Sequence, residues 1–543
     1  MARETGWSRR DVLRQSGIIS AVGAAAAVSP LATKAATAPM PVELKPGQTA
    51  PINPNTYDRH NNVFTKIGVK PFINCRGTIT LISGSTSLPE VKQAMYDASQ
   101  YYVQLDELQL AVSAELARLT GAEWGITCTG SAAATCLATI ACIAGTNIEK
   151  CEVLPFIKKK DQVLIPHNSR NPYDIGVRMS GTELIEFTTP DEMRSKISER
   201  TAMLYILAGP NSTSGPLATS ILAPIAREHG IPVFVDAAAE EPNKPNIHIA
   251  AGADLVAYSG GKCMRGPQSA GLMIGNKNLC QAAFYQGAPH HCYGRPLKCS
   301  KEETMGMLAA VRAWYSRDHE AEAKEWTMWM QAISDRLQGI PSLTATVTPR
   351  QQDLSNRCPE LRVRWDANVV GITGTELTAR LNQGDPRIIL TAGTGTRPNA
   401  MKSGFSISSY MMNPGEYKIV ADAIYDILKN PGHYDNPVVP TGAPAPVEGR
   451  WDVTIHYLRG TGEQHFELKR DGNTITGNQL GEQFNTIFTS GAIHASQIEL
   501  VSALPVPGYP VHCTFKGTVQ GDMMSGKLEM GEYGVVDWDA VRA

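Results

Sequence analysis

The sequence predicts an α/β chain built on a mostly parallel sheet, followed by a smaller α+β region and an antiparallel β-domain. Three observations carry this expectation. Between Val63 and about Arg317, helical and strand-like segments alternate, as they do when helices cover both faces of a parallel sheet. From His319 to Leu428 the alternation gives way to a mixture of strands and helices. Beyond Gly449 only short strands and turns follow, as in an antiparallel meander that closes as a small barrel or sandwich.

At the amino terminus, Ser8-Arg9-Arg10-Asp11-Val12-Leu13-Arg14 precedes an apolar run rich in Gly and Ala, then small residues. This pattern is that of a twin-arginine export signal, and it implies an exported, periplasmic protein handled by the twin-arginine machinery. The run from Gly17 to roughly Leu31 is too short and too rich in alanine for a stable membrane anchor. Cleavage is expected between about Ala32 and Met40. The resulting division is a signal peptide over 1–38, a Pro-rich linker over 39–57, a large domain over 58–318 and a small α+β domain over 319–430. A second Pro-rich linker spans 431–448, and the β-domain spans 449–543.

Within the large domain, helices are expected in SLPEVKQAMYDASQYY and DELQLAVSAELARLTG. Strands are expected around QVLIP, ELIEF, TAMLYIL, PVFVDA, DLVAYS and GLMIG. Two of these strands release polar groups at their carboxyl ends, where open α/β sheets place ligands. VFVDAAAE ends on Asp236; LVAYSGGKCMRGPQSAG ends on Ser259, Gly260, Gly261 and Lys262. Taken singly, Asp236 reads equally as a helix cap and Lys262 as a solvated loop lysine. Together, 26 residues apart, they fit pyridoxal 5'-phosphate. That cofactor needs a lysine amine for its Schiff base and a carboxylate to keep its pyridine nitrogen protonated. A third element is the turn Thr129-Gly130-Ser131-Ala132, which opens an alanine-rich helix and offers free backbone N–H groups to a phosphate.

The order of these elements resembles fold-type I pyridoxal-phosphate enzymes. INCRGTITLISGS, LDELQ, LTGAEWGITCTGSAAA, RNPYD, VDAAAE, SGGKCMRGPQSAGLMIG and GRPLKCSKEE are similar to the bacterial selenocysteine-synthase-like family, over roughly residues 60–430. That family includes selenium transferases acting on seryl-tRNA and D-glucosaminate-6-phosphate ammonia lyase. The resemblance implies that Lys262 holds the cofactor covalently and that Asp236 pairs the pyridine nitrogen. Gly130, Ser131, Ala132 and Ser259 would hold the phosphate, and Asn211 would contribute from GPNSTSGPLAT. Arg265 and Gln268 are expected to line the site; Arg295 and Lys298 would reach a phosphate or carboxylate, across a subunit interface as in relatives. One departure stands out: where the family has arginine, glycine, histidine, arginine, this chain has His167, Asn168, Ser169 and Arg170, so either His167 takes the place of the family's histidine at the cofactor ring or the ring is stacked differently.

Charge and cysteine usage narrow the function. The balance of 50 basic against 52 acidic residues, without a basic run, argues against a nucleic-acid partner and for a small amino substrate. The 11 cysteines form no CxxC pair and no metal-ligand spacing, so neither a disulfide framework nor a metal site is expected. Cys263, beside the lysine, reads as a packed residue. The expected activity is a lyase eliminating water or ammonia from a polar amino acid or amino sugar acid, in a homodimer or larger homo-oligomer. A racemase, an aldolase, a selenium-transferase-like enzyme, or a non-catalytic exported binding protein using its β-domain are the alternatives. The β-domain is similar to calycin-type barrels, and no cluster of titratable groups marks it.

Overall fold

The computed structural model describes residues 59–543, apart from Gln352, Asp353, Asn399 and Pro507. The export signal and first linker expected from the sequence lie outside the described residues. After a short strand β1 (Phe72–Asn74) come β2 (Trp124–Cys128), β3 (Gln162–Pro166), β4 (Glu183–Phe187) and β5 (Thr201–Leu207). β6 (Val233–Asp236), β7 (Leu255–Ser259) and β8 (Gly271–Gly275) complete the central sheet. Its order is β2-β8-β7-β6-β5-β3-β4. Every pairing is parallel except the two made by β8.

Alternation along each strand fills both faces. On β5, Leu204 and Ile206 face one helical layer while Met203 and Tyr205 face the other. A strand covered on both sides reads as an unbroken apolar run, which TAMLYIL does. The helix Leu105–Thr120 stops at Gly121, whose left-handed φ of 76° ends it. The helix Lys301–Ser316 starts from a capping box between Ser300 and Glu303.

The smaller core is assembled from distant segments. β9 (Thr344–Thr348), β10 (Glu360–Trp365) and β12 (Ser403–Ser408) form an antiparallel sheet, while β11 (Arg387–Ile389) pairs in parallel with β1. Ile73 and Cys75 are fully buried in this core beside Ile333, Phe405 and Ile424. The segment around β1 therefore belongs with the small domain, whereas the sequence division placed all of 58–318 in the large one. A division into contiguous stretches cannot register a chain that starts in one body and continues in another.

The β-domain is a closed eight-stranded antiparallel barrel running from β13 (Gly449–His456) through β14 (Thr461–Asp471), β15 (Thr474–Gly481) and β16 (Asn485–His494). It continues through β17 (Gln497–Leu504), β18 (Val511–Gln520) and β19 (Met523–Glu529) to β20 (Val535–Arg542). Closure leaves no sheet edge. Its interior is filled by aromatic side chains. Phe466 meets Phe515 edge-on at 5.0 Å, and Phe515 meets Trp538 at 5.5 Å, all three essentially inaccessible. Phe466→Ala is expected to destabilise the barrel by about 3–5 kcal/mol through the cavity it leaves, read as a lower denaturation midpoint in the tryptophan signal of this domain. Among the described residues no helix is long and apolar enough to cross a membrane, and no group of three or more His, Cys, Asp or Glu could hold a metal ion.

Candidate functional site

The carboxyl edge of the central sheet collects the chemistry. The turn after β2, the ends of β6 and β7 and the connections after β3 and β5 all emerge on this edge, because β2 and β3–β7 run in one direction. Asp236, the last residue of β6, is 2% exposed. Three donors converge on its carboxylate: Ser131 Oγ at 2.9 Å, Tyr205 OH at 3.0 Å and the Ala238 N–H at 3.1 Å. Burial pushes the Asp236 carboxyl upward, against the lowering pull of those bonds and of the Lys262 charge. Lys262 feels the same environment in reverse: burial lowers its ammonium below the ordinary 10.5, opposed by Asp236.

A compact loop fixes Lys262. The Gly260 N–H donates to Ala270 O at 2.8 Å, Gly266 N–H to Gly260 O at 2.7 Å and Arg265 N–H to Lys262 O at 2.9 Å. Both glycines are needed for packing. A Cβ at Gly260 would lie 2.7 Å from Met307 Sδ, and one at Gly261 would lie 2.2 Å from Gln268 Oε1. Gln268 thus lies against the lysine loop and also against Gly84. Ser259 stands half-buried at the end of β7.

The turn after β2 suits a phosphate. The helix Gly130–Ala144 begins there, and its first N–H groups lack intrahelical partners. Ala132 is exposed at this terminus, and the buried Thr129 Oγ1 has no hydrogen-bond partner. Ser131 differs in part from the expectation: its hydroxyl is committed to Asp236, which leaves its backbone N–H for an anion. A buried carboxylate facing a lysine, next to such a cradle with an orphaned hydroxyl, fits pyridoxal phosphate.

The other expected residues differ in exposure and partners. His167 points outward, its side chain 72% exposed and its Nδ1 2.8 Å from Glu186. The place nearer the core goes to Ser169, which is 2% exposed. The reason is electrostatic: Glu186 on the neighbouring β4 holds both His167 and Arg170. Asn211 is exposed on the short helix Pro210–Thr213. Arg295 is half-buried and Lys298 exposed on the stretch before the helix Lys301–Ser316.

Two features were not anticipated. Tyr205, inside an apolar strand, holds Asp236 and receives Asn171 Nδ2 at 3.0 Å. A tyrosine in a strand buried on both faces needs a partner for its hydroxyl, and that was the available signal. The second is a narrow arginine-rich cleft between the two cores, lined by Cys263, Arg265, Arg317, Arg350, Arg357 and Tyr410 among others. Glu241 takes Arg350 at 2.6 Å and Arg357 at 3.3 Å. Arg265 is tied to Thr86 O and Oγ1, both at 3.0 Å, and both burial and Arg317 disfavour its charge. Burial and Glu241 push the Cys263 thiol up to about 12, so it is no nucleophile near neutral pH.

Comparisons with known proteins agree with this geometry. Residues 177–357 match the aminotransferase class-V family model. A 5'-C-glycyluridine monooxygenase-decarboxylase from Streptomyces sp is 30% identical over 346 residues, covering 61% of this chain and 84% of that protein. D-glucosaminate-6-phosphate ammonia lyase from Salmonella typhimurium (strain 14028s / SGSC 2262) is 26% identical over 382 residues, covering 68% of this chain and 98% of the relative. A solved structure of D-glucosaminate-6-phosphate ammonia-lyase superposes with a TM-score of 0.59 at 24% identity, covering 68% of this chain and 98% of that one. Taken with the lysine, the buried acid and the phosphate turn, these matches mean that the chain belongs to the selenocysteine-synthase-like family of fold-type I, pyridoxal 5'-phosphate-dependent enzymes.

Proposed function

We propose that this protein is an exported lyase that eliminates water or ammonia from a small polar amino acid or amino sugar acid. The observation that carries the reading is Lys262 in a buried site opposite Asp236, on a chain whose ammonia-lyase relative is matched over 98% of its length. The bound cofactor supplies an electron sink that makes the substrate Cα–H acidic. Lys262 would hold it; Gly130, Ser131 and Ala132 would offer backbone N–H groups to its phosphate, with Ser259 alongside, and Asp236 would pair its ring nitrogen. The Lys262 amine is the base for the substrate Cα proton and can hand that proton to the departing β-group. Its proton affinity, lowered by burial, favours the base form nearer neutral pH.

The arginine-rich cleft beside Cys263 supports a substrate with an acidic group, which the guanidinium groups would orient. Export through the twin-arginine pathway fits a protein that crosses the membrane folded. Assembly into a homodimer or larger oligomer is supported by apolar side chains left almost fully exposed, among them Leu81, Tyr102 and Phe156.

A second reading rests on the Streptomyces relative, whose name denotes oxidative decarboxylation. One experiment separates the two. The holoenzyme is offered amino acids and amino sugar acids while ammonia, keto acid, carbon dioxide and dissolved oxygen are followed. Ammonia and keto acid without oxygen uptake are expected. Carbon dioxide with oxygen uptake would replace the lyase reading by the second one.

A further inference from the structure

The barrel interior is packed with aromatic side chains, and its surface touches the catalytic body beside Asn171. The connection between β17 and β18 packs against Asn171. A Cβ added at Gly508 would lie 2.4 Å from Asn171 N and 2.6 Å from its Cα, and Gly508 has φ +76°. Two backbones meet here, and only glycine permits both the approach and the left-handed conformation. Asn171 is 7% exposed. Its Nδ2 donates to Ser169 O at 2.8 Å and to Tyr205 OH at 3.0 Å, and Tyr205 OH in turn donates to Asp236 at 3.0 Å. The barrel surface is thus two hydrogen bonds from the buried acid.

We propose that the barrel is a positioning module: Gly508 braces Asn171, and through the Tyr205 hydroxyl it sets the orientation of Asp236 toward the cofactor. A side-chain relay in a dry interior transmits such a constraint because each member has few other partners. Asp236 faces Ser131 Oγ, Tyr205 OH, the Ala238 N–H and Lys262. Behind Tyr205 lies Asp174, already paired with Arg170 at 2.7 Å and Arg178 at 3.1 Å. None of these groups comes from the barrel, so the influence runs through Asn171.

The inference rests on Asp236 facing the cofactor, and the test separates the two. Gly508→Ala is compared with Gly521→Ala, a barrel-turn glycine with similar φ (+62°) and open space around it. The second variant imposes the same backbone strain without touching Asn171. In Gly508→Ala we expect the pH midpoint of the cofactor's visible band to move by about half a unit or more. We also expect its dissociation constant to rise about tenfold. Gly521→Ala should match the wild type in both. Asn171→Ala should reproduce the shift, and adding Gly508→Ala to it should add nothing. Should Gly508→Ala fail to fold, amide exchange on the unaltered protein decides: cofactor loading should slow exchange between Leu504 and Val511 and leave the turn at Gly521 unchanged. A Gly508→Ala enzyme with the same midpoint and affinity as Gly521→Ala overturns the inference, as does exchange insensitive to cofactor. A wild-type protein that binds no cofactor at all overturns instead the proposed function.

Discussion

Lys262→Ala should purify without visible absorbance and lose activity by at least about 10⁴-fold, since covalent attachment and the Cα base disappear together. The fold should survive, because the lysine loop is held by the backbone bonds of Gly260, Arg265 and Gly266 rather than by the Lys262 side chain. Circular dichroism of the variant should therefore match the wild type. Borohydride reduction of the loaded wild type should fix the cofactor to the peptide containing Lys262, and the variant should carry no such adduct. The pH dependence follows from burial. A lysine lowered below 10.5 exposes its neutral amine at lower pH than a free lysine does. Covalent capture of cofactor by apoenzyme should then rise with pH through a midpoint below 10.5. A reducible adduct mapping to a different lysine would remove Lys262 from the role given to it here.

The strands were legible because the central sheet is covered on both faces, and its members read as apolar runs bounded by turn residues. Asp236, Ser259 and Lys262 were legible because each terminates such a run, and carboxyl ends of parallel strands share one edge. The phosphate turn was legible from small residues opening an alanine-rich helix. Contacts between elements distant in sequence were not. Nothing in TAMLYIL says which residue Tyr205 meets; that depends on β5 lying beside β6 and under the helix Gly130–Ala144. The arginine cleft draws on residues from 241 to 411, a separation no local pattern reports. His167 shows the same limit from the other side. The family resemblance offered it for the ring face, but the pairing of β3 with β4 sets Glu186 beside it, and its side chain lies exposed.

β1 makes a related point about domains. INC looked like the entry to the large domain because it precedes it in sequence. It pairs instead with β11, more than 300 residues later, and places Cys75 between Ile389 and Ser408 through its backbone bonds. The arginine-rich cleft is thereby framed by both bodies: Thr78, a few residues beyond β1, bonds Tyr410 OH at 2.9 Å, and Thr86 bonds Arg265. A chain that crosses between the bodies on either side of a cleft fixes the cleft's width more firmly than a single hinge would.

Asp236→Asn should separate stability from function. The native carboxyl titrates above its ordinary 3.8 because burial disfavours its charge. A group whose folded pKa exceeds its unfolded one binds more protons when folded, so stability is full below 3.8 and falls as pH rises toward the folded value. Wherever Asp236 is ionised in the apoprotein, its buried charge costs stability, offset in part by Ser131, Tyr205 and the Ala238 N–H. Asparagine keeps an acceptor for Ser131 and Ala238 and removes the charge. The apo variant should melt above the wild type at neutral pH, and the gap should close on acidification below the ordinary carboxylate range. With cofactor the order should reverse, because the charge then has a protonated ring nitrogen to pair with and asparagine does not. Activity should fall roughly 10²–10⁴-fold, the contribution of a positioned proton partner. Melting curves with and without cofactor at two pH values test all of this together. An apo variant less stable than the wild type at neutral pH would mean that the three donors outweigh burial, and that the acid is held for structure rather than strained for chemistry.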